Sequence, residues 1–316
     1  MRPIGGEIEL KLTDFKVYFT DSGRSSIRLF LRSGDNRYKK YLLPNYFCEV
    51  IENIFVEEKI TYSFYDVFED LSIDEDYINT QEFDVLYVIN YFGQYIALDN
   101  INLDNKILLE DNVFFYDFTN QNNAKQWYAF NSYRKISTLA DGSLVKTNLT
   151  IDVDKILKEE ASFTNEKYRA KAIKYSYINK NEFNEQEYLN KFSYAEELLD
   201  NQRDVYMISS KSLYLLSISS IDEEIRKKRF MKLKFLFSEF SILENVDNYS
   251  FFIMKILKRD TIKNKLMQSN IFLPVHWLKS TQDNELYNLV ISVPLFENYN
   301  DDEFDYLINS LRDLLK

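Results

Sequence analysis

Three short stretches of this 316-residue chain carry residues whose types and spacing can do chemistry. In "FNSYRKISTLADGSLV", residues 130–145, Lys135 lies between Tyr128-Ala129-Phe130 and Ser143-Leu144-Val145. Both triplets read as buried strands, and a lysine held in a tight connection between strands can attack a carbonyl carbon. In "KILLED", residues 106–111, Asp111 closes an apolar strand at its carboxyl end, the edge where open α/β sheets bind ligands. In "TDSGRSSIRLFL", residues 20–31, Gly23 and Arg24 precede a helix that Ser25 or Ser26 can cap. The first N–H groups of such a helix form an anion site by backbone geometry. Each residue also has a plainer reading: a solvated lysine, a turn cap, an ordinary glycine turn.

Taken in chain order, an anion site, a buried acid and a lysine are what pyridoxal phosphate requires. The helix N-terminus takes the phosphate, the acid pairs with the ring nitrogen, and the lysine forms the covalent link. Competing motifs are weaker. No G-x-G-x-x-G and no G-x-x-x-x-G-K-[ST] is present. Cys48 and the single histidine, His276, have no third group to orient them as a nucleophile–base pair and read as a packed thiol and a strand-end histidine. Asp152 and Asp154 in "DVD" match the Asp-x-Asp metal motif of glycosyltransferases, but "TIDVDKILKEE" also reads as an acidic helix start. The "DED" at 74–76 reads as a solvated turn.

The elements that must position these residues alternate over the first half of the chain. "YLLP", "TYSFYDV", "VLYVIN" and "KILLED" read as strands, and "IRLFLRS" and "NYFCEVIENIFVEEK" as helices. That alternation predicts a mainly parallel sheet covered by helices. Long polar helices follow over 164–202. From about residue 205 a smaller α+β unit is expected, with helices over 222–240, 259–270 and 301–316 and strands in "YSFFIMKIL" and "LYNLVISVP". The expected division is therefore a large α/β domain, 1–205, and a small C-terminal domain, 206–316.

Composition excludes other classes. Hydrophobic residues make up 45% and aromatics 16% of the chain, enough for a sizeable core. A net charge of −11 argues against nucleic acid or an anionic membrane as the main partner. One cysteine rules out an internal disulfide framework, and no apolar run reaches membrane-spanning length. A cytoplasmic protein is expected.

In several of these stretches the sequence resembles the DegT/StrS family of sugar aminotransferases, pyridoxal-phosphate enzymes of fold type I. "SGRSSIRLFL" is similar to the family's phosphate-loop helix, "YLLPNYFCEVIENI" to the strand–Pro–helix after it, and "VLYVINYFGQ" to a strand ending in an aromatic–Gly pair. "LLEDNVFF" is similar to the segment of the ring-nitrogen aspartate, and "SYRKISTLADGSLVKTN" to the lysine segment, with Lys135 six positions before Asp141. "IFLPVHWL" and "LYNLVISVPLFENYNDDEFDYL" resemble the small domain. Phe114 departs from the usual Gln or His, and Phe130 replaces a phosphate-binding serine, with Asn131 and Ser132 as displaced substitutes. The Asp111–Lys135 connection is short, and Ser143 replaces a second glycine.

The resemblance implies catalysis by Lys135 and Asp111, with Gly23, Arg24, Ser25 and Ser132 on the phosphate. It implies transfer of an amino group from an amino acid, glutamate by likeness, to a nucleotide-linked keto sugar in surface-polysaccharide synthesis. It also implies a homodimer. A non-catalytic member of the same fold is the alternative that Phe114 and the missing serine favour, and a metal-dependent glycosyltransferase on Asp152 and Asp154 is a third reading.

Overall fold

The computed structural model describes residues 13–122, 124–278 and 281–316. Its first half alternates as the pattern demands: β1 (Lys16–Thr20), α1 (Gly23–Arg32), β2 (Lys40–Pro44), α2 (Glu49–Glu57), β3 (Thr61–Tyr65), α3 (Glu75–Thr80) and β4 (Val85–Ile89). β5 (Ile107–Asp111), β6 (Gln126–Phe130), the single turn α4 (Tyr133–Ile136) and β7 (Ser143–Thr147) complete it. The seven strands form one sheet in the order β1-β7-β6-β5-β4-β2-β3. β6, β5, β4, β2 and β3 run parallel, while β7 is antiparallel to both β6 and β1. β4 and β5 are buried along their whole length, as their unbroken apolar runs require for central parallel strands. The fold class is the expected one, a mainly parallel α/β sheet followed by an α+β unit.

The second half adds β8 (Ile156–Leu157), a helical hairpin of α5 (Ser162–Lys180) and α6 (Glu185–Asn201), β9 (Val205–Tyr206) and α7 (Ser210–Ile218). A separate apolar cluster then gathers α8 (Glu223–Leu236), the antiparallel pair β10 (Phe251–Lys255) and β11 (Val290–Pro294), α9 (Arg259–Gln268) and α11 (Asp301–Leu315), with one turn, α10 (Leu286–Leu289), before β11. Gly93 joins this cluster to the sheet. Its φ is +92°, its carbonyl accepts from Asp247 and Asn248, and a Cβ there would lie 2.0 Å from the Asn248 carbonyl oxygen. Among the described residues no helix is long and apolar enough to cross a membrane.

Several sequence expectations shift. β1 escapes a pattern search because its burial rises only toward Thr20. α1 starts earlier than expected, at Gly23, and its cap is Ser22, whose side chain accepts from the Ser25 N–H; Ser25 and Ser26 are interior. Asp74 caps α3, so "DED" opens a helix. "DVDK" forms only a 3₁₀ turn that runs into β8, because Asp152 makes no capping bond and pairs with Lys155 at 3.3 Å. Leu286–Leu289, expected as strand, is a helical turn. His276 lies outside any strand.

Candidate active site

The topology explains why residues far apart in sequence meet. β1 is antiparallel to β7, and β7 to β6, so β1 points the same way as the parallel strands. Thr20, Asp111 and Phe130 therefore end at one edge of the sheet, and whatever follows each of them faces the same space. The start of α1, the Asp111 carboxyl and α4 all line one cavity there. Gly142 fastens the first and last of these together by donating its N–H to the Asp21 carbonyl at 2.6 Å. Asp141 accepts from the Ser209 N–H at 2.7 Å and from the Ser209 and Ser212 hydroxyls. With φ at +122° and only 2.8 Å between an added Cβ and the Ile208 side chain, Gly142 has no substitute. The Asp-Gly pair behind Lys135 thus holds the lysine turn against α1 and α7.

Asp111 is buried, with one donor on each oxygen: the Tyr87 hydroxyl on Oδ2 at 2.7 Å and the Val113 N–H on Oδ1 at 2.9 Å. Burial raises its pKa to about 6, against the opposing pull of Tyr87, Lys135 and Val113. Lys135 is half-buried on α4 and lines the same cavity. Its Nζ makes no hydrogen bond or ion pair among the described residues and lies 5.8 Å from the Phe114 ring and 5.9 Å from the Trp277 ring. The other lysines near this segment are engaged: Lys125 with Asp104 at 2.9 Å, Lys146 with Asp117 at 2.6 Å.

At the α1 mouth, the N–H groups of Gly23 and Arg24 precede the first intrahelical bond, and no acidic side chain occupies the first turn. A Cβ on Gly23 would meet only ordinary contacts at 3.5 Å, with the Phe130 ring and the Asn131 carbonyl. Ser132, directly across, lines the cavity and makes no capping bond. The other expected phosphate ligands are placed differently. The Arg24 guanidinium lies 2.5 Å from Asp200, the Ser25 hydroxyl faces Gln202 at 3.3 Å, and Ser25 is absent from the cavity wall. Asn131 is consumed by backbone, accepting from the Leu144 N–H at 2.7 Å and donating to the Phe115 carbonyl at 2.9 Å.

The residues present thus fit pyridoxal phosphate chemically: an unpartnered amine, a buried carboxylate and free helix N–H groups face one space. That space is about 90 Å³, below the roughly 300–1,000 Å³ of small-molecule pockets. Leu199 of α6 and Trp277 form part of its wall. A larger cleft of about 730 Å³ is lined by Asp70, Asp74, Glu75 and Asp76 but brings no lysine to them.

The remaining candidates separate. Cys48 reaches the cavity wall, whereas His276 is half-buried, bonded through Nδ1 to Ser292 at 2.9 Å and flanked by Phe92, Phe114 and Phe251. Burial and the nearby Lys135 push its pKa down to about 3, which leaves it neutral. Asp152 and Asp154 do not line the cavity, and among the described residues no cluster of His, Cys, Asp or Glu forms a metal cage. Sequence reading missed Tyr87 and Trp277. Tyr87 sits at the centre of an apolar strand and reads as core; only the pairing of β4 with β5, which sets Tyr87 beside Leu109, brings its hydroxyl within reach of Asp111 two residues on. Trp277 belongs to a loop with no periodic signal.

The fold is a mainly parallel α/β sheet with an α+β unit after it, and its carboxyl edge carries the cavity. The chain is similar in structure to Spr1654 from Streptococcus pneumoniae, assigned as a sugar aminotransferase, in its PMP form (TM-score 0.66, 14% identity, covering 94% of this chain and 87% of that one). It is similar to DesV from S. venezuelae in complex with a ketimine intermediate (0.62, 12%, 95% and 85%). It is also similar to a DegT DnrJ EryC1 StrS aminotransferase from Brucella abortus (0.58, 12%, 95% and 86%). At these identities the likeness is one of fold. No family model matches the sequence, and no curated protein does.

Proposed function

We propose that the protein is a pyridoxal-phosphate-dependent aminotransferase that moves an amino group from an amino acid to a nucleotide-linked keto sugar. The carrying observation is that Lys135 and Asp111 face one cavity at the open mouth of α1. The sugar aminotransferases that share the fold support the substrate class, and the resemblance supports glutamate as donor and a role in polysaccharide synthesis.

Residue roles follow from placement. Gly23 and Arg24 offer backbone N–H groups, and Ser132 a hydroxyl, to the phosphate. Arg24 and Ser25 act behind them: Arg24 through its Asp200 pair, Ser25 by donating its N–H to the Ser22 cap. Asp111 holds a proton on the ring nitrogen, and Tyr87 and Val113 fix its two oxygens so that it cannot rotate away. When bound, the cofactor supplies an electron sink for the carbanion formed at the donor α-carbon. Lys135 Nζ, with no competing partner, would hold the cofactor covalently and, once freed, would take the proton from the donor α-carbon in one half-reaction and give one to the acceptor carbon in the other. The Phe114 and Trp277 rings flank that amine at 5.8 and 5.9 Å.

The proposal includes a large cofactor-binding part over 1–205, a small part over 206–316, and a homodimer in the cytoplasm. α7 supports the dimer: its only buried residue is Ser212, while Tyr214 and Ile218 are 63% and 62% exposed. Such apolar surface is what an isologous interface covers.

A non-catalytic role for the same fold draws on the narrow cavity and on Phe114. One experiment separates the two: incubate the purified protein with pyridoxal phosphate, remove the excess, and record the visible spectrum before and after adding glutamate. The proposed enzyme retains a yellow chromophore that glutamate bleaches. A colourless protein sinks the proposal.

A further inference from the structure

Beside the cofactor cavity lies a group of cations that the roles above do not use. Arg134 precedes Lys135 and lines the same cavity. Its Nη1 is 3.4 Å from Glu196 Oε1, its guanidinium sits 5.7 Å over the Phe163 ring, and its Nε is buried without a partner. Lys167 of α5 pairs with the same Glu196 oxygen and lies 5.1 Å over the Phe192 ring. Lys171, one turn further along α5, is half-buried and has no hydrogen bond or carboxylate partner among the described residues. Arg134 and Lys167 thus share one carboxylate and Lys171 has none, in a chain whose net charge is −11.

Unbalanced positive charge in partial burial is costly, because desolvation and mutual repulsion both act on it. Both are visible at Lys171: burial, then repulsion from Lys167, Arg134 and Lys174, lowers its pKa to about 8. At Glu196 burial pushes the pKa up, but Arg134 and Lys167 outweigh it and bring it down to about 2. The carboxylate is saturated, and the cations are not. A group arranged only for stability would carry a second carboxylate or lose a lysine.

We propose that Arg134, which reaches the wall of the cofactor cavity, and Lys167 and Lys171 behind it form an anion subsite, which receives an anionic group carried by one of the two substrates. The assignment rests on the aminotransferase reading above. The ligand chemistry is an oxyanion, either the distal carboxylate of the amino donor or the diphosphate of the nucleotide-linked acceptor. Arg134 suits either, since its planar fork matches both. Adjacent placement on α4 sets this subsite next to the Lys135 amine, so an anion held there fixes how far its reacting carbon lies from Nζ. Arg134 is therefore a specificity-determining residue. A small neutral residue before the lysine would leave Lys167 alone with Glu196 and the subsite empty of its central donor.

The test uses the full chain incubated with pyridoxal phosphate, so that the α1 mouth is already taken. It is titrated calorimetrically with glutarate and, separately, with pyrophosphate. The probe that binds identifies the source. Arg134→Gln and Lys171→Gln are each expected to weaken that probe about tenfold. Glu196→Gln removes the competing carboxylate and is expected to tighten it several-fold, a gain that a misfolded variant cannot give. Bound pyridoxal phosphate is read by absorbance on every variant. Its loss from the wild-type protein breaks the aminotransferase reading, while the probe titrations still report on the subsite. The subsite is overturned if neither probe binds the wild-type protein, or if all three variants bind as it does.

Discussion

Two helix N-termini in this protein are built in opposite ways. α11 closes itself: Asn300 accepts from the Glu303 N–H at 2.9 Å, Glu303 accepts from the Asn300 N–H at 2.7 Å, and Asp301 and Asp302 add charge that suits the dipole. α1 does the reverse. Its Ser22 cap satisfies one N–H, no acid stands in the first turn, and the remaining N–H groups open onto the cavity that Asp111 and Lys135 share. The first design spends its polar groups on stability. The second leaves them uncommitted at the cavity where we propose the cofactor phosphate binds, so the carboxyl edge of the large sheet is where hydrogen-bond donors are still free.

The comparison breaks most severely at the acid. Asp111→Asn keeps the Val113 and Tyr87 contacts geometrically possible but cannot hold a proton on a ring nitrogen. Transamination is expected to fall on the order of 10²-fold or more, with cofactor retention far less affected. Steady-state kinetics beside an equilibrium cofactor titration checks this, and near-normal turnover would remove Asp111 from the site.

Gly23→Asp gives α1 what α11 has. The added Cβ meets only ordinary contacts, and a carboxylate in the first turn favours the helix by about 0.3–1 kcal/mol. Stability should hold or rise while cofactor affinity falls about tenfold, equivalent to about 1.4 kcal/mol. Asn300→Ala is the converse: it costs about 1 kcal/mol of stability and leaves cofactor affinity alone. Denaturant midpoints and cofactor titrations on both variants read the contrast, and parallel losses in both would dissolve it.

Several elements were legible because their residues serve the local pattern and the global fold at once. β4 and β5 are unbroken apolar runs that end up central and parallel. Lys135 and Asp111 reach one cavity because each closes or follows a buried strand at the same edge of the sheet. Ser25 was misplaced because cap and interior serines look alike until the helix start is fixed at Gly23. Arg24 reads as a phosphate ligand by position, and only the fold brings Asp200 to it across 176 residues. Tyr87 and the α5 cations depend on strand pairing and on the hairpin's approach, which no local spacing encodes.

A smaller effect follows from protonation. Burial raises Glu110 to about 7 and Asp21 and Asp111 to about 6, so between the ordinary carboxylate range and those values the folded protein holds protons that the unfolded chain releases. Stability must then fall as pH rises from about 4 to about 7. His276, pushed down to about 3 by burial, works the other way below its ordinary value of 6.5, but it is one group against three. Without cofactor, the urea midpoint is expected to be higher at pH 5.5 than at pH 8, and Glu110→Gln should flatten the difference.

The central claim is that Lys135 is the amine that holds the cofactor. Borohydride reduction of the pyridoxal-phosphate-loaded protein, followed by peptide mass mapping, tests it directly. The account predicts one pyridoxyl adduct, on Lys135, because among the described residues that Nζ alone shares a cavity with Asp111 and the open end of α1 and has no partner of its own. An adduct on Lys125 or Lys146 with Lys135 unmodified, or no adduct at all, would contradict it.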